Sequence, residues 1–295
     1  MKSGFVTILG HPNVGKSTIL NGIINRKISI VTDKSQTTRN VIKGIYRGKD
    51  SQIIFIDTPG IHKPHAKLGV EMNNMAYSSA HEADVNLLVV DASKRFDESD
   101  EFLLSHLDIN NAPLIIVFNK IDKARITEAE ALKTIYRQKL PQSHFIDTVA
   151  SERFNLEELI ATVEKLLPEG PEYYPGNEIT DKDEVFQIKE IIREKVLKTL
   201  RDEVPHSIAI YVNNIDWEEN PLHIHASIIV EKDSQKGIVI GANGKRIKEI
   251  GLKARKSIEK LLDKHVYLEL FVKVQSDWRN NDELLEAYGY KNKKR

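Results

Sequence analysis

Eight residues, Gly10-His11-Pro12-Asn13-Val14-Gly15-Lys16-Ser17, limit what this chain can fold into more than any other stretch. They carry the spacing G-x-x-x-x-G-K-[ST]. An apolar, strand-like run at residues 5–9 precedes them, and residues 18–24 after them suit a helix. In such a loop the glycines let backbone N–H groups turn around phosphate oxygens, and the helix N-terminus adds its positive dipole end. Lys16 would reach the outer phosphates, and the Ser17 hydroxyl would ligate magnesium. Gly10 through Ser17, with Thr18 behind them, are the expected phosphate contacts. The bland alternative is a glycine-bearing strand-to-helix turn, and the strand–loop–helix context weighs against it.

Residues 41–46 and 52–56 read as two strands around the turn Gly48-Lys49-Asp50-Ser51. The second ends in Asp57-Thr58-Pro59-Gly60, where a parallel strand would deliver a carboxylate beside the phosphate loop. There Asp57 would hold the magnesium shell and the Gly60 N–H would meet a γ-phosphate. Residues 85–91 and 113–118 are continuously apolar rather than alternating, which suits strands covered on both faces. Helical spacing lies between them at 101–107. The second run closes in Asn119-Lys120-Ile121-Asp122. Guanine presents N1–H and an exocyclic amino group side by side, and one carboxylate, Asp122, can accept from both. Asn119 would bond the other edge of the base, and the Lys120 stem would cover the ring. Adenine lacks that pair of donors and would leave a buried carboxylate unpaired. A further strand at 143–147 leads through Thr148 into Val149-Ala150-Ser151. A helix at 156–163 closes the domain, and the Pro- and Gly-bearing stretch 168–183 reads as a linker.

At 295 residues there is room for two domains. The complete lack of cysteine excludes disulfides and thiolate metal sites and fits a reducing cytoplasm. No run is apolar enough to cross a bilayer, and the N-terminal residues show no secretory pattern. A net charge of zero hides an asymmetry: 22 basic against 25 acidic residues up to Asp183, and 21 against 18 from Glu184 onward. A polyanionic partner therefore belongs to the second half.

That half begins with an amphipathic pattern, Val185, Ile188, Ile191, Ile192, Val196 and Leu200, expected as a helix over 184–200. Strands are expected at 207–212 and 222–231. A short helix then leads through Gly237-Ile238-Val239-Ile240 to Gly241-Ala242-Asn243-Gly244, followed by a helix at 245–262 and a strand at 266–274. G-x-x-G between two helices in this order is the K-homology arrangement, whose loop clamps single-stranded nucleic acid. Residues 241–264 hold 8 basic against 3 acidic residues. Gly237, Ile240, the loop Gly241 to Gly244, Lys245, Arg246 and Lys248 are the expected RNA contacts. Residues 276–295 read as a polar tail with three lone aromatics, Trp278, Tyr288 and Tyr290.

With these motifs in place, the chain resembles the Era-like GTPase family. The likeness rests on G-x-P-N-V-G-K-S, on Gln36-Thr37-Thr38-Arg39, on D-T-P-G and N-K-I-D, on Glu203-Val204-Pro205-His206-Ser207 and on the 241–244 loop. It implies an α/β, doubly wound, mainly parallel sheet with one antiparallel edge strand over 1–167. A linker over 168–183, an α+β type II K-homology domain over 184–275 and a tail over 276–295 would follow. It also implies binding of GTP and GDP with Mg2+ and slow GTP hydrolysis. The implied partner is the 3′ end of 16S ribosomal RNA, with a role in 30S subunit assembly. A cytoplasmic monomer with part of its pool peripherally at the membrane completes the expectation.

By the same resemblance Gln36 to Arg39 form the first switch, with Thr38 the magnesium-ligating threonine and Thr37 the alternative. Val149, Ala150 and Ser151 form the last guanine-binding segment. Ile61 stands where Ras-like enzymes place a water-orienting glutamine, so hydrolysis should be slow. In potassium-dependent relatives the phosphate-loop asparagine ligates the cation, which makes Asn13 the candidate for K+. Three departures stand out. His11 replaces the usual Arg or Lys and is expected to point outward. Val149 replaces a serine, which leaves its loop less well supported. Ala242-Asn243 lack the usual lysine, for which Lys245 and Arg246 would compensate. Relatives that modify tRNA need a cysteine, and double-G-domain factors need a second phosphate loop; this chain has neither. A constitutive RNA binder with a purely structural nucleotide site is the reading from another class.

Overall fold

The computed structural model describes residues 1–34, 36–108, 112–200 and 204–291, without the side chains of 205 and 206. Glu203 of the second-domain motif and residues 292–295 of the basic C-terminal cluster lie outside these. Contacts divide the chain into two compact units, the first built from Met1–Val31, Gln36–His65 and Gly69–Asp181, the second mainly from Lys182–Arg295.

In the first unit, β1 (Lys2–Leu9), β2 (Ile42–Arg47), β3 (Ser51–Asp57), β4 (Val85–Asp91), β5 (Leu114–Asn119) and β6 (His144–Thr148) form one sheet in the order β2-β3-β1-β4-β5-β6. Only β2 runs antiparallel, paired with β3 from Ile42 opposite Asp57 to Arg47 opposite Gln52. Helices α1 (Lys16–Ile24), α2 (Lys67–His81), α3 (Glu98–Ser105), α4 (Ile126–Lys139) and α5 (Leu156–Leu166) complete the unit. Alternate residues of each central strand serve different cores, as the pleat dictates. Ile115 and Val117 of β5 pack with Ile19 and Leu20 of α1 and Leu159 and Val163 of α5. Leu114, Ile116 and Phe118 pack with Ala76 and Ala80 of α2, Leu103 of α3 and Tyr136 of α4. Continuous apolar runs arise because neither face of these strands meets water.

The stretch expected as a linker is packed for most of its length on the first unit, and this is a correction. Ile179 O accepts from Ile45 N at 3.0 Å, and Thr180 bridges Gly44, so the segment covers the open edge of β2. Arg47 donates to the carbonyls of Tyr174 (2.9 Å), Gly176 (2.5 Å) and Glu178 (2.8 Å). The Gln52 amide accepts from the N–H groups of Tyr173 and Tyr174, at 2.8 and 3.0 Å. Covering an edge strand satisfies its outward backbone groups and blocks unwanted pairing.

The second unit runs α6 (Glu184–Thr199), β7 (Ala209–Asp216), β8 (Leu222–Val230), α7 (Asp233–Ile240), α8 (Lys245–Leu262), β9 (Val266–Val274) and α9 (Asp282–Ala287). Its sheet is ordered β7-β8-β9, with β7 antiparallel and β9 parallel to β8. The parallel pairing of β8 and β9 requires a crossover, and α7, the 241–244 loop and α8 supply it. This is the expected K-homology order.

The polar tail of the sequence reading is instead closely packed. Trp278 and Tyr290 are fully buried, their rings 5.8 Å apart, and Trp278 Nε1 donates to Ser207 O at 2.9 Å. Lys189 reaches the Tyr288 carbonyl and lies over the Tyr290 ring at 5.1 Å. Among the described residues no helix is long and apolar enough to cross a membrane.

Candidate functional site

The phosphate loop joins β1 to α1, and its backbone needs the residues it has. Gly10 and Gly15 have φ of 138° and 107°, and Asn13 is left-handed at 65°. A Cβ on Gly10 would lie 2.3 Å from Val89 O, and one on Gly15 2.2 Å from Asn119 Nδ2. Gly15 begins α1 without a side-chain cap, so the first N–H groups of the helix are available to an anion. Lys16 is buried, and its ammonium donates to the carbonyls of Gly10 at 3.0 Å and His11 at 2.8 Å. Burial brings its pKa down to about 8, with Asp57 opposing the fall.

Three expected magnesium ligands converge. Ser17 Oγ donates to Asp57 Oδ2 at 2.6 Å and lies 2.8 Å from Thr38 Oγ1, which is itself 3.4 Å from Asp57 Oδ2. Ser29 Oγ donates to the same carboxylate oxygen at 2.8 Å. Among the described residues, the buried Asp57 Oδ1 has no hydrogen-bond partner. Burial pushes this carboxyl up, against the hydroxyl of Ser17, the Lys16 charge, Ser29 and Thr38. An unpartnered buried carboxylate oxygen beside two hydroxyls and a lysine is costly unless a cation or donor completes it, and these hard oxygen donors suit magnesium. The structure brings the Thr38 hydroxyl to Ser17.

The D-T-P-G turn is pressed against the phosphate loop. A Cβ on Gly60 would lie 2.6 Å from Pro12 N. Thr58 is buried, donating to Ile8 O at 2.7 Å, which makes it a brace between β3 and β1. Ile61 N donates to Gly10 O at 3.1 Å, and the Ile61 side chain is fully buried in the core beside α2. His62 Nε2 meets Gln36 Nε2 at 3.0 Å, joining the two expected switches. His11 does not point outward: Nδ1 meets Ile61 O at 3.0 Å, and Nε2 lies 3.3 Å from Asp100 Oδ1.

The guanine motif is only partly as expected. Asn119 braces three loops: its Nδ2 donates to Val14 O at 2.8 Å, and its Oδ1 accepts from Ala150 N at 3.0 Å and Thr148 Oγ1 at 3.2 Å. The Ala150 N–H, in the last expected guanine-binding segment, is thus engaged by Asn119. Lys120 is left-handed at φ 64° and donates to Asn13 O at 2.6 Å and Asp91 Oδ2 at 2.7 Å. Burial alone would raise the Asp91 carboxyl, but Lys120 and Ser93 hold it below its ordinary value. Asp122 is exposed rather than buried. Ser151 is exposed as well. Val149 is buried and pairs with Phe154 through two backbone bonds of 3.4 and 3.2 Å, so the loop is tied without the usual serine.

Sequence reasoning missed Asp91, Ser29, Asn21 and Asp100. Asp91 ends a parallel strand beside the phosphate loop, the position where open α/β sheets place their ligand contacts, so its signal was present. Asn21 had none: its amide accepts from Ile28 N at 2.9 Å and Ser29 N at 3.0 Å, and donates to Ser29 O at 2.8 Å.

In the second unit Gly241 and Gly244 are at φ 72° and Asn243 at 51°, and a Cβ on Gly241 would lie 2.7 Å from that of Arg246. Ala242, Asn243, Lys245, Lys248 and Gly237 are exposed or partly exposed, and Ile240 is half-buried. Arg246 folds back, its guanidinium donating to Ile238 O. A groove of about 510 Å³ follows α8 and β9, lined by Lys248, Leu252, Arg255 and Tyr267 among others. Leu252 and Tyr267, about half exposed, were not anticipated.

Two family models match the chain: a 50S ribosome-binding GTPase over residues 5–120 and a KH domain over residues 203–279. Among solved structures it is similar to Era in complex with MgGDPNP and nucleotides 1506–1542 of 16S ribosomal RNA. That match has 41% identity, covers 98% of this chain and 99% of the other, and has a TM-score of 0.93. A tyrosine-to-alanine variant of Aquifex aeolicus Era bound to GDP·AlF4− matches at 40% identity over the same shares, with a TM-score of 0.91.

Proposed function

The chain belongs to the Era family of GTPases, and from that premise we propose that it is a magnesium-dependent GTP switch acting on the small ribosomal subunit. It binds GTP and GDP, hydrolyses GTP slowly to GDP and phosphate, and holds the 3′-end region of 16S ribosomal RNA during 30S maturation. The observation that carries the nucleotide half is the convergence of Ser17, Thr38 and Asp57 beside Lys16, with Asp57 Oδ1 buried and unpartnered. Era, 41% identical to this chain over 98% of its length, has been seen in complex with both MgGDPNP and nucleotides 1506–1542 of 16S ribosomal RNA.

Ser17 and Thr38 would hold magnesium directly and Asp57 would hold its shell. Bound there, the ion neutralises charge on the phosphate oxygens. Lys16 and the amides from Asn13 to Thr18 grip the polyphosphate. The Gly60 N–H meets the γ-phosphate, with Thr58 and Pro59 fixing its turn. Asp122 accepts from the guanine N1–H and amino group, Lys120 covers the ring, and Asn119 sets the base against Val149, Ala150 and Ser151. Ile61, buried among apolar side chains, gives water no polar partner, which supports slow turnover. Asn13 is the candidate ligand for a potassium ion at the phosphates.

Gly237, Ile240, Gly241 to Gly244, Lys245, Arg246 and Lys248 carry the RNA backbone, with the groove along α8 and β9 beyond them. The same reading takes the protein as a cytoplasmic monomer, with part of its cellular pool held peripherally at the inner face of the membrane. Single-turnover GTP hydrolysis tests the enzymatic half. The unmodified chain should turn over GTP faster in potassium than in sodium at equal ionic strength, and Lys16→Ala should fall to background. A rate equal to that of Lys16→Ala would favour a structural nucleotide site, and equal rates in the two salts would remove the role of Asn13.

A further inference from the structure

We infer that His11 is a positioning residue for GTP hydrolysis, clamping the segment after Gly60 against the phosphate loop and α3. The inference rests on the GTPase reading above and concerns a residue at which this chain departs from its family's usual basic side chain.

The geometry is a two-sided grip on Ile61. Its N–H donates to Gly10 O at 3.1 Å, and its carbonyl lies 3.0 Å from His11 Nδ1. A carbonyl can only accept, so Nδ1 carries the proton. The other ring nitrogen faces Asp100 Oδ1 at 3.3 Å; a carboxylate oxygen only accepts, so this contact holds the ring only when Nε2 bears a proton as well. Asp100 is itself held in place. Its Oδ1 accepts from the Tyr136 hydroxyl at 2.8 Å, and its Oδ2 accepts from Asp97 N at 3.0 Å in the cap of α3. A line of contacts therefore runs from the Ile61 carbonyl through His11 and Asp100 to Tyr136 on α4.

Packing alone does not fix this arrangement. A cavity of about 640 Å³ borders the ring, walled by His11, Pro12, His62, Asp100 and Phe102 among others. A side chain that could not bond the Ile61 carbonyl would leave the segment after Gly60 free to shift toward that space. Gly60 sits where its N–H would meet the γ-phosphate, and its Cα approaches Pro12 too closely for any side chain. A shift at Ile61 is thus felt at the reacting end of the nucleotide. The α- and β-phosphates, held by the loop amides and Lys16, do not depend on it. An error of about 1 Å in such a position can cost up to a hundredfold in rate.

The test uses the full chain with Mg2+, comparing single-turnover GTP hydrolysis and GDP affinity for His11→Ala, His11→Asn and His11→Gln. Asparagine places a donor near Nδ1 and keeps the bond to Ile61; glutamine reaches toward Asp100 instead. Hydrolysis should fall roughly tenfold or more in His11→Ala and His11→Gln and recover to within about threefold in His11→Asn, while GDP affinity changes less than about twofold. Asp100→Asn should slow the unmodified chain but add nothing to His11→Ala. The inference is overturned if His11→Ala keeps its rate, if asparagine rescues no better than glutamine, or if the loss appears in GDP affinity. No hydrolysis by the unmodified chain would instead overturn the GTPase reading itself.

Discussion

Raising the pH past 8 should weaken nucleotide binding in a way that can be calculated from the surroundings of Lys16. In the free chain the buried ammonium has a pKa of about 8, lowered by burial and partly restored by Asp57. Bound to polyphosphate, the same ammonium sits among anionic oxygens and stays charged well above that value. Binding above pH 8 must therefore take up a proton. With the free value at about 8, uptake at pH 8 is about half a proton per nucleotide, and affinity falls about threefold between pH 7.5 and 8.5. That window lies above the last ionisation of the phosphates and below that of guanine N1–H. Folding carries the opposite sign. The unfolded chain binds more protons between about 8 and 10.5, so the free protein gains stability as pH rises through that range. Calorimetric titration of GDP at pH 8, in two buffers of different ionisation enthalpy, measures the uptake without hydrolysis. Zero uptake, or proton release, would refute the reasoning.

Thr38→Val should weaken the binding of a magnesium-loaded GTP analogue by roughly tenfold while leaving GDP nearly unaffected, and Thr37→Val should leave both nearly unaffected; fluorescent-nucleotide titration separates them. Trp278→Ala removes a fully buried ring and the hydrogen bond to Ser207 O. It should cost about 3–5 kcal/mol in denaturant unfolding, whereas a loosely attached tail would cost almost nothing. Lys248→Ala should reduce the salt dependence of RNA binding, lowering the log–log slope by roughly 0.7.

What could be read from the sequence was what repeats along it or stands at fixed spacing. The buried strands β4 and β5 were visible because both faces are covered and nearly every residue is apolar. The phosphate loop, Asp57 and the Asn119–Asp122 motif were visible because backbone geometry and phosphate chemistry tolerate few residues there. Contacts between distant segments left no such trace. Ser29 shapes the site through a hydroxyl whose partner, Asp57, is 28 residues away, and Asn21 holds Ser29 across an irregular turn that no periodicity marks. The segment before Asp181 has the composition of a linker, yet it is held by Arg47 and Gln52 at the edge of the sheet. Trp278 and Tyr290 looked isolated because their polar neighbours in sequence are not their neighbours in space. His11 was misjudged for the same reason: its partners, Ile61 and Asp100, are 50 and 89 residues away.

Recognition of the small-subunit RNA by the second unit is tested most directly by binding of an RNA spanning nucleotides 1506–1542 of 16S ribosomal RNA, the segment held by Era in its complex. The measurement compares that RNA with a scrambled RNA of equal length, at physiological salt and with a magnesium-loaded GTP analogue present. The account predicts tighter binding of the native segment, with the preference lost in the double variant Lys245→Glu, Lys248→Glu. Equal affinity for the two RNAs would contradict it.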